Sequence, residues 1–176
     1  WTLRFSSTLN TKINPKHKLR SGIIVSAERY RLSNAAWDNE LGRMVTELGA
    51  TGQASTLQAY TSWKWLWSER WSMTSGVHLM HYTLNGATAV EPRAAVRYQQ
   101  RPDQAFTLGF GLHSRTEAIM TYEVETLDAQ GNTYRPNRNL GLTRAAHAVL
   151  GYERKLAEDI QLKAEAYFQQ QYGTPV

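Results

Sequence analysis

The sequence predicts an all-β fold, an antiparallel transmembrane β-barrel wall of about eight strands. Three observations predict it. Apolar residues recur at every second position through most of the chain. Phe106, Leu108, Phe110 and Leu112 lie on one side of a run, with Thr107, Gly109, Gly111 and His113 on the other. Side chains alternate across a strand, so each such run has one apolar wall and one polar or small wall. The connections alternate as well. They are short near 14–17, 68–70, 101–104 and 156–159, and longer near 32–54, 85–90 and 115–142. Short turns at one end and long loops at the other mark an outer-membrane barrel. Finally, Trp63, Trp65, Trp67 and Trp71 gather around one short turn. Indole has an apolar body and a polar N–H, which suits a membrane interface. The competing reading is an aromatic cluster inside a soluble β-sandwich.

The totals permit this fold. The 176 residues are a one-domain length, read as a single barrel segment over 1–176 with external loops near 32–54 and 115–142 and no plug domain. No run reaches the roughly 18 apolar residues of a spanning helix, but a spanning strand needs only about 9–11 with every second one apolar. Cysteine is absent, which excludes disulfides and thiolate sites. Twenty basic against fifteen acidic residues leave a net charge of +5. The cations are scattered rather than clustered, so nucleic acid is not an expected partner.

Residues 2–13 form the first expected strand, with Leu3, Phe5 and Leu9 opposite Arg4, Ser6 and Thr8. The chain opens at Trp1 inside this alternating run, as expected of a piece cut from something longer or of a processed product. Asn14-Pro15-Lys16-His17 is a turn signal. Residues 18–31 follow, with Leu19, Ile23, Val25 and Ala27 on one face and Ile24 out of pattern. From 32 to 54 the alternation stops, and a long polar loop is expected. Strands at 56–68 and 71–84 flank the Ser68-Glu69-Arg70 turn. Residues 91–114 are a hairpin turned at Arg101-Pro102-Asp103-Gln104, where Pro fixes φ and Asp can bond its own backbone. A second long loop covers about 115–142. The last hairpin is 143–155 and 159–171. Its Ala, Glu, Lys and Leu content favours a helix. Gly151 and the period-2 series Ile160, Leu162, Ala164, Ala166 and Phe168 favour strands.

LNGATAVEPRAAVRYQ, FTLGFGLHSR, NRNLGLTRAAHAVLGYER and LKAEAYFQQQYGTPV resemble the barrel of TonB-dependent outer-membrane receptors. The likeness is to the Bacteroidetes group with a carboxypeptidase-like regulatory domain. It rests on Glu91-Pro92-Arg93, on Gly111–Ser114, on Leu150–Glu153 and on the tyrosine-containing stretch Tyr167–Val176. The resemblance implies a barrel of roughly 22 strands closed by a plug, importing a bulky nutrient with energy from TonB. This chain would supply an interior part of that barrel, towards its C-terminal half. The implied partners are outer-membrane lipid and lipopolysaccharide, the plug and remaining strands, TonB indirectly, and a surface lipoprotein. No cofactor is implied. A self-contained eight-stranded barrel is the alternative, but the small and charged inward residues suit a wide lumen better than a side-chain-filled one.

The candidate site residues are lumen-facing: Arg93, Arg97, His113, His147, Lys163 and Glu165. Each is expected to line a polar lumen, to bond a plug or to meet an anionic ligand. His78 and His81 are three apart and face opposite sides of a strand, and the adjacent His113 and Ser114 also diverge, so neither pair suggests a metal or catalytic dyad. With no phosphate-cradling Gly loop or paired carboxylates, a non-enzymic role is expected. Arg135 and Arg138 are expected to meet lipopolysaccharide.

Overall fold

The computed structural model describes residues 1–39, 42–127, 129–130 and 132–174. Ten strands and one short helix follow in order: β1 (Thr2–Lys12), β2 (His17–Asp38), β3 (Arg43–Leu66), β4 (Trp71–Tyr82), β5 (Thr88–Arg101), β6 (Gln104–Arg115), α1 (Ile119–Glu123), β7 (Thr126–Leu127), β8 (Thr133–Tyr134), β9 (Thr143–Lys155) and β10 (Gln161–Tyr172). Eight of them form one antiparallel sheet in the order β1-β2-β3-β4-β5-β6-β9-β10, and β7 pairs with β8 inside the β6–β9 connection. This is a meander. Its terminal strands do not pair among the described residues, so the sheet is open rather than a small closed barrel.

The register confirms the two faces. Tyr98 pairs with Phe106, and Phe106 with Tyr152; Val96 pairs with Leu108, and Leu108 with Leu150. These residues stand on one face. Phe5 (59%), Leu108 (63%) and Leu150 (57%) are left exposed there. That much bare apolar surface is unfavourable in water and natural against hydrocarbon. The opposite face lines a concavity of about 960 Å³ with Arg20, Ile24, Tyr60, Gly76, His78 and Gly111 among its walls. Ile24, out of pattern in the sequence, therefore faces the concave side.

The short turns are built by side chains that replace backbone partners. Asn14 Oδ1 accepts from the N–H groups of Lys16 and His17, both at 2.9 Å. Ser68 Oγ accepts from Arg70 and Trp71 at 3.3 and 3.1 Å.

One expectation needs correction. Residues 32–54, read as an irregular loop, are strand over 32–38 and 43–54, with 40 and 41 outside the described residues. β1 pairs β2 only as far as Glu28, and β4 pairs β3 only as far as Thr56. Beyond these points β2 and β3 continue as a lone ladder to the Asp38–Arg43 pair, with a register shift at Asn34/Ala35. At about 3.3 Å per residue, the projection is roughly 30 Å long. One side of it is buried at Tyr30, Ala50 and Ala54, but the Gly, Ser and Asn residues among them leave no apolar period. The 115–142 segment is, as expected, largely irregular, with α1, β7 and β8 as its only regular pieces among the described residues. The last hairpin is β9–β10, so the strand reading prevails over the helical one.

Candidate functional site

The concave wall is organised by register. Alternation places Glu91, Arg93 and Arg97 of β5, Gly111 and His113 of β6, His147 and Glu153 of β9, and Lys163 and Glu165 of β10 on this face. Four of the sequence-predicted residues, Arg93, Arg97, His113 and His147, enter close contacts. Arg97 Nη2 donates to Glu153 Oε2 at 2.8 Å. The rings of His113 and His147 lie 4.5 Å apart. Gly111, directly opposite His147, makes room for this contact: a Cβ there would stand 3.2 Å from His113 Nε2. Lys163 is opposite Glu153 across the β9–β10 ladder, and Glu165 is opposite Gly151.

The centre of the wall is Glu91, which the sequence marked only as part of a motif. It is 2% exposed. Arg93 Nη2 donates to its Oε2 at 2.6 Å, and His78 Nδ1 lies 3.0 Å from the same oxygen. Ser114 donates to Oε1 from its backbone N–H at 2.9 Å and also from its hydroxyl. The β5–β6 ladder runs only from Arg93 towards the turn, so the Glu91 carboxylate takes over where backbone pairing stops. His78 Nε2 continues the network to Gln58 at 3.1 Å. His81 faces the other side and bonds Thr88, so the two histidines are separated as expected. Ser114 is committed to Glu91 and forms no dyad with His113. No group of three or more potential metal ligands occurs among the described residues.

Two tyrosine–glycine pairs stiffen the β2–β3 hairpin. Tyr60 is directly opposite Gly22, and its hydroxyl reaches Thr8 at 2.7 Å. A Cβ on Gly22 would lie 2.6 Å from the ring and from the Ser7 carbonyl. In the projecting part Tyr30 is opposite Gly52, with its Cζ 2.7 Å from where a Cβ would be. An aromatic ring laid over a cross-strand glycine fills the space that glycine leaves.

At the long-loop end Ile119, Tyr122, Leu140 and Leu142 of the connection between β6 and β9 fold inward and form an apolar core with the concave side of the sheet. Tyr122 is fully buried and packs at 5.5 Å on Tyr82, beside Tyr30, Ala54, Met80 and Leu142. Its hydroxyl accepts from the Glu117 N–H at 3.1 Å, and burial pushes its pKa above the usual phenol range. Next to it, Glu123, 2% exposed, accepts from Tyr30 at 2.5 Å and pairs with Arg138 and with Arg135, the latter at 3.0 Å. Arg135 also holds Glu125 at 2.8 Å. The two arginines expected to meet lipopolysaccharide are thus engaged in tying the loop down. Arg135 and Arg138 meet Glu123 in space but stand twelve and fifteen residues from it in sequence, which leaves no local pattern to read.

The aromatic residues form a belt at the short-turn end of the convex face. Trp63 stacks on Trp65 at 5.6 Å and Trp65 on Trp67 at 5.7 Å. His17 lies against Trp63 and accepts from its indole N–H at 3.1 Å. Trp71 stacks on Tyr98 at 4.5 Å, and Phe106 meets Tyr152 at 5.2 Å.

No protein-family model matches the sequence, and no curated protein matches it. Its fold, however, is similar to that of solved receptors. The chain aligns with the copper transporter OprC at a TM-score of 0.67 and 13% identity, covering 94% of this chain and 29% of that one. It aligns with the siderophore receptor PirA of Pseudomonas aeruginosa at 0.74 and 12%, covering 97% and 32%. A variant of the ferric enterobactin receptor PfeA of Pseudomonas aeruginosa gives 0.71 and 10%, covering 97% and 26%. At these identities the likeness is one of fold. The chain spans roughly a quarter to a third of each of these proteins.

Proposed function

We propose that this chain is a section of the outer-membrane barrel wall of a TonB-dependent receptor that imports a bulky nutrient. The observation that carries the reading is the open eight-stranded meander itself, apolar outside and polar inside, with short turns at one end and the projecting hairpin and inward-folded loop at the other. Unpaired strand edges in hydrocarbon leave backbone groups without partners, so β1 and β10 need neighbouring strands of a wider barrel. The similarity in fold to a copper transporter, a siderophore receptor and a ferric enterobactin receptor supports the transport reading. The Bacteroidetes-type assignment rests on the motifs around Glu91, Gly111, Leu150 and Tyr167 alone.

In this reading Trp63, Trp65, Trp67 and Trp71 sit at the periplasmic interface of the membrane. Arg93, Arg97, His113, His147, Lys163 and Glu165 line the lumen. The Tyr122–Glu123 cap and the β2–β3 hairpin lie on the outside, where ligand arrives. The segment acts as wall, lining and external loop rather than as an enzyme. The test is the intact mass of the mature protein in its native outer membrane, detected with an antibody to the 32–54 hairpin. A mass several times 20.0 kDa is expected. A mass near 20.0 kDa refutes the receptor reading.

A further inference from the structure

We propose that His113 and His147 form an open, two-imidazole site for a divalent transition-metal ion of the copper(II) or nickel(II) class. The proposal goes beyond the receptor-wall reading and rests on β6 and β9 alone. The two histidines stand on adjacent antiparallel strands, offset by two positions: His147 is directly opposite Gly111, and His113 directly opposite Ala145. Such diagonal neighbours are within reach of each other when their side chains are aromatic. The ring centroids lie 4.5 Å apart with the planes at 44°, inclined rather than stacked. A Cβ on Gly111 would stand 3.2 Å from His113 Nε2, so this nitrogen is turned along β6 into the row that His147 occupies.

The wall leaves these two side chains unsatisfied. Glu91 holds Arg93, His78 and Ser114, His78 reaches Gln58, and Arg97 pairs with Glu153. Neither His113 nor His147 has a hydrogen-bond partner among the described residues. A neutral imidazole carries one bare nitrogen lone pair, and two of these in one place suit a borderline metal ion. The residues across the ladder from them, Gly111 and Ala145, are small, and both histidines line the 960 Å³ concavity, so an ion and its waters have room. Arg93, directly opposite Gly111, is the cation beside the pair, and Glu91 balances it at 2.6 Å.

The spacing selects the ion. With each nitrogen about 2.0 Å from the metal and a ring radius of roughly 1.2 Å, two imidazoles have centroids about 4.5 Å apart at a right angle and about 5.2 Å apart at the tetrahedral angle. The observed 4.5 Å matches the right angle, which is the geometry of tetragonal Cu2+ and Ni2+ rather than of tetrahedral Zn2+. Mg2+ and Ca2+ require oxygen ligands, which these two side chains do not offer. Two protein nitrogens leave the remaining positions to water, so the ion exchanges instead of being locked in as at a closed structural site.

The experiment uses full-length protein purified from its native outer membrane, stripped with a chelator and equilibrated with Cu2+ alone. Dialysis counts the ions bound per chain, and electron paramagnetic resonance shows how many nitrogens couple to them. His113→Gln and His147→Gln should each lower the count by one, and the double variant by the same one. The signal lost should carry coupling to two nitrogens. In the unsubstituted protein, where folding is not in question, Cu2+ should slow carbethoxylation of His113 and His147 together, several-fold, and leave His81 on the opposite face unaffected. Peptide mass spectrometry reads each site. An unchanged count in either single variant, a further loss in the double one, or coupling to a single nitrogen overturns the proposal. So does protection of one histidine without the other, or equal protection of His81.

Discussion

Leu150 and Val149 are neighbours on β9 that face opposite ways, and an arginine at each separates the membrane reading from any soluble one. Leu150 is 57% exposed on the convex face, flanked across the ladders by Leu108 and Ala166. Val149 lines the concavity, opposite Gly109 and Tyr167. If the convex face meets hydrocarbon, an arginine near mid-membrane costs about 2–4 kcal/mol. If it met water, replacing an exposed leucine would change stability by about 0.5 kcal/mol or less. Leu150→Arg is therefore expected to lower the folded-to-unfolded ratio roughly 30- to 700-fold, at 1.4 kcal/mol per tenfold. Val149→Arg enters a polar lumen and should cost less than about 1 kcal/mol, the repacking penalty in an open site. Guanidinium titration of the full-length protein in phospholipid vesicles measures both. Equal effects, or a larger one at Val149, would refute the assignment of faces.

Other substitutions test the site. Gly22→Ala drives a methyl group into the Ser7 carbonyl and the Tyr60 ring, and it should cost about 1–3 kcal/mol in the same titration. Glu91→Ala removes one buried carboxylate that serves Arg93, His78 and Ser114. It should cost about 1–3 kcal/mol, whereas Glu153→Ala, at a pair more than a third exposed on one side, should cost about 1 kcal/mol or less. Tyr122→Ala empties the centre of the external cap and should speed hydrogen exchange across 116–142 without changing exchange in β5 and β6. Alkaline pH should act on the same cap. Burial raises the pKa of Tyr122, and burial followed by the Glu123 hydrogen bond raises that of Tyr30. The neutral phenols are the forms that fit, so their contribution is complete below the unfolded value near 10 and is lost as pH rises through the folded values. Protection factors in 116–142, the intrinsic base-catalysed rate divided by the observed one, should fall in that window relative to those in β5 and β6, and unchanged relative protection up to pH 12 would contradict the packing described.

The sequence was legible where one face had to be apolar. Period-2 patterning located the spanning parts of β1–β6, β9 and β10, and the same patterning put Arg93, Arg97, His113, His147, Lys163 and Glu165 on one side of the sheet. It failed over 32–54 because the projecting ladder carries Gly49, Gly52, Ser33 and Asn34 where a half-buried strand would carry apolar side chains, and its order comes from backbone pairing and from long-range packing at Tyr30, Ala50 and Ala54. It also failed for the external cap. Tyr30, Tyr82, Tyr122 and Leu142 meet across more than a hundred residues, and contacts of that range leave no local period. The role of Glu91 was within reach, since Glu91 and Arg93 share a face at two-residue spacing. What could not be read was the end of the β5–β6 ladder beside it, which gives the carboxylate its partners.

The absence of cysteine from the chain allows the most direct test of the central claim, that one face of this sheet lines a lumen and the other meets lipid. Single cysteines placed in turn at 105 through 112 of β6 would be labelled in the native membrane, in full-length protein free of other accessible thiols, with a water-soluble maleimide and then with a lipid-soluble one. The account predicts strict alternation: Phe106, Leu108, Phe110 and Leu112 positions react from lipid, and Ala105, Thr107, Gly109 and Gly111 positions react from water or are shielded from both. Water-soluble labelling of both sets, or lipid labelling without a two-residue period, would contradict it.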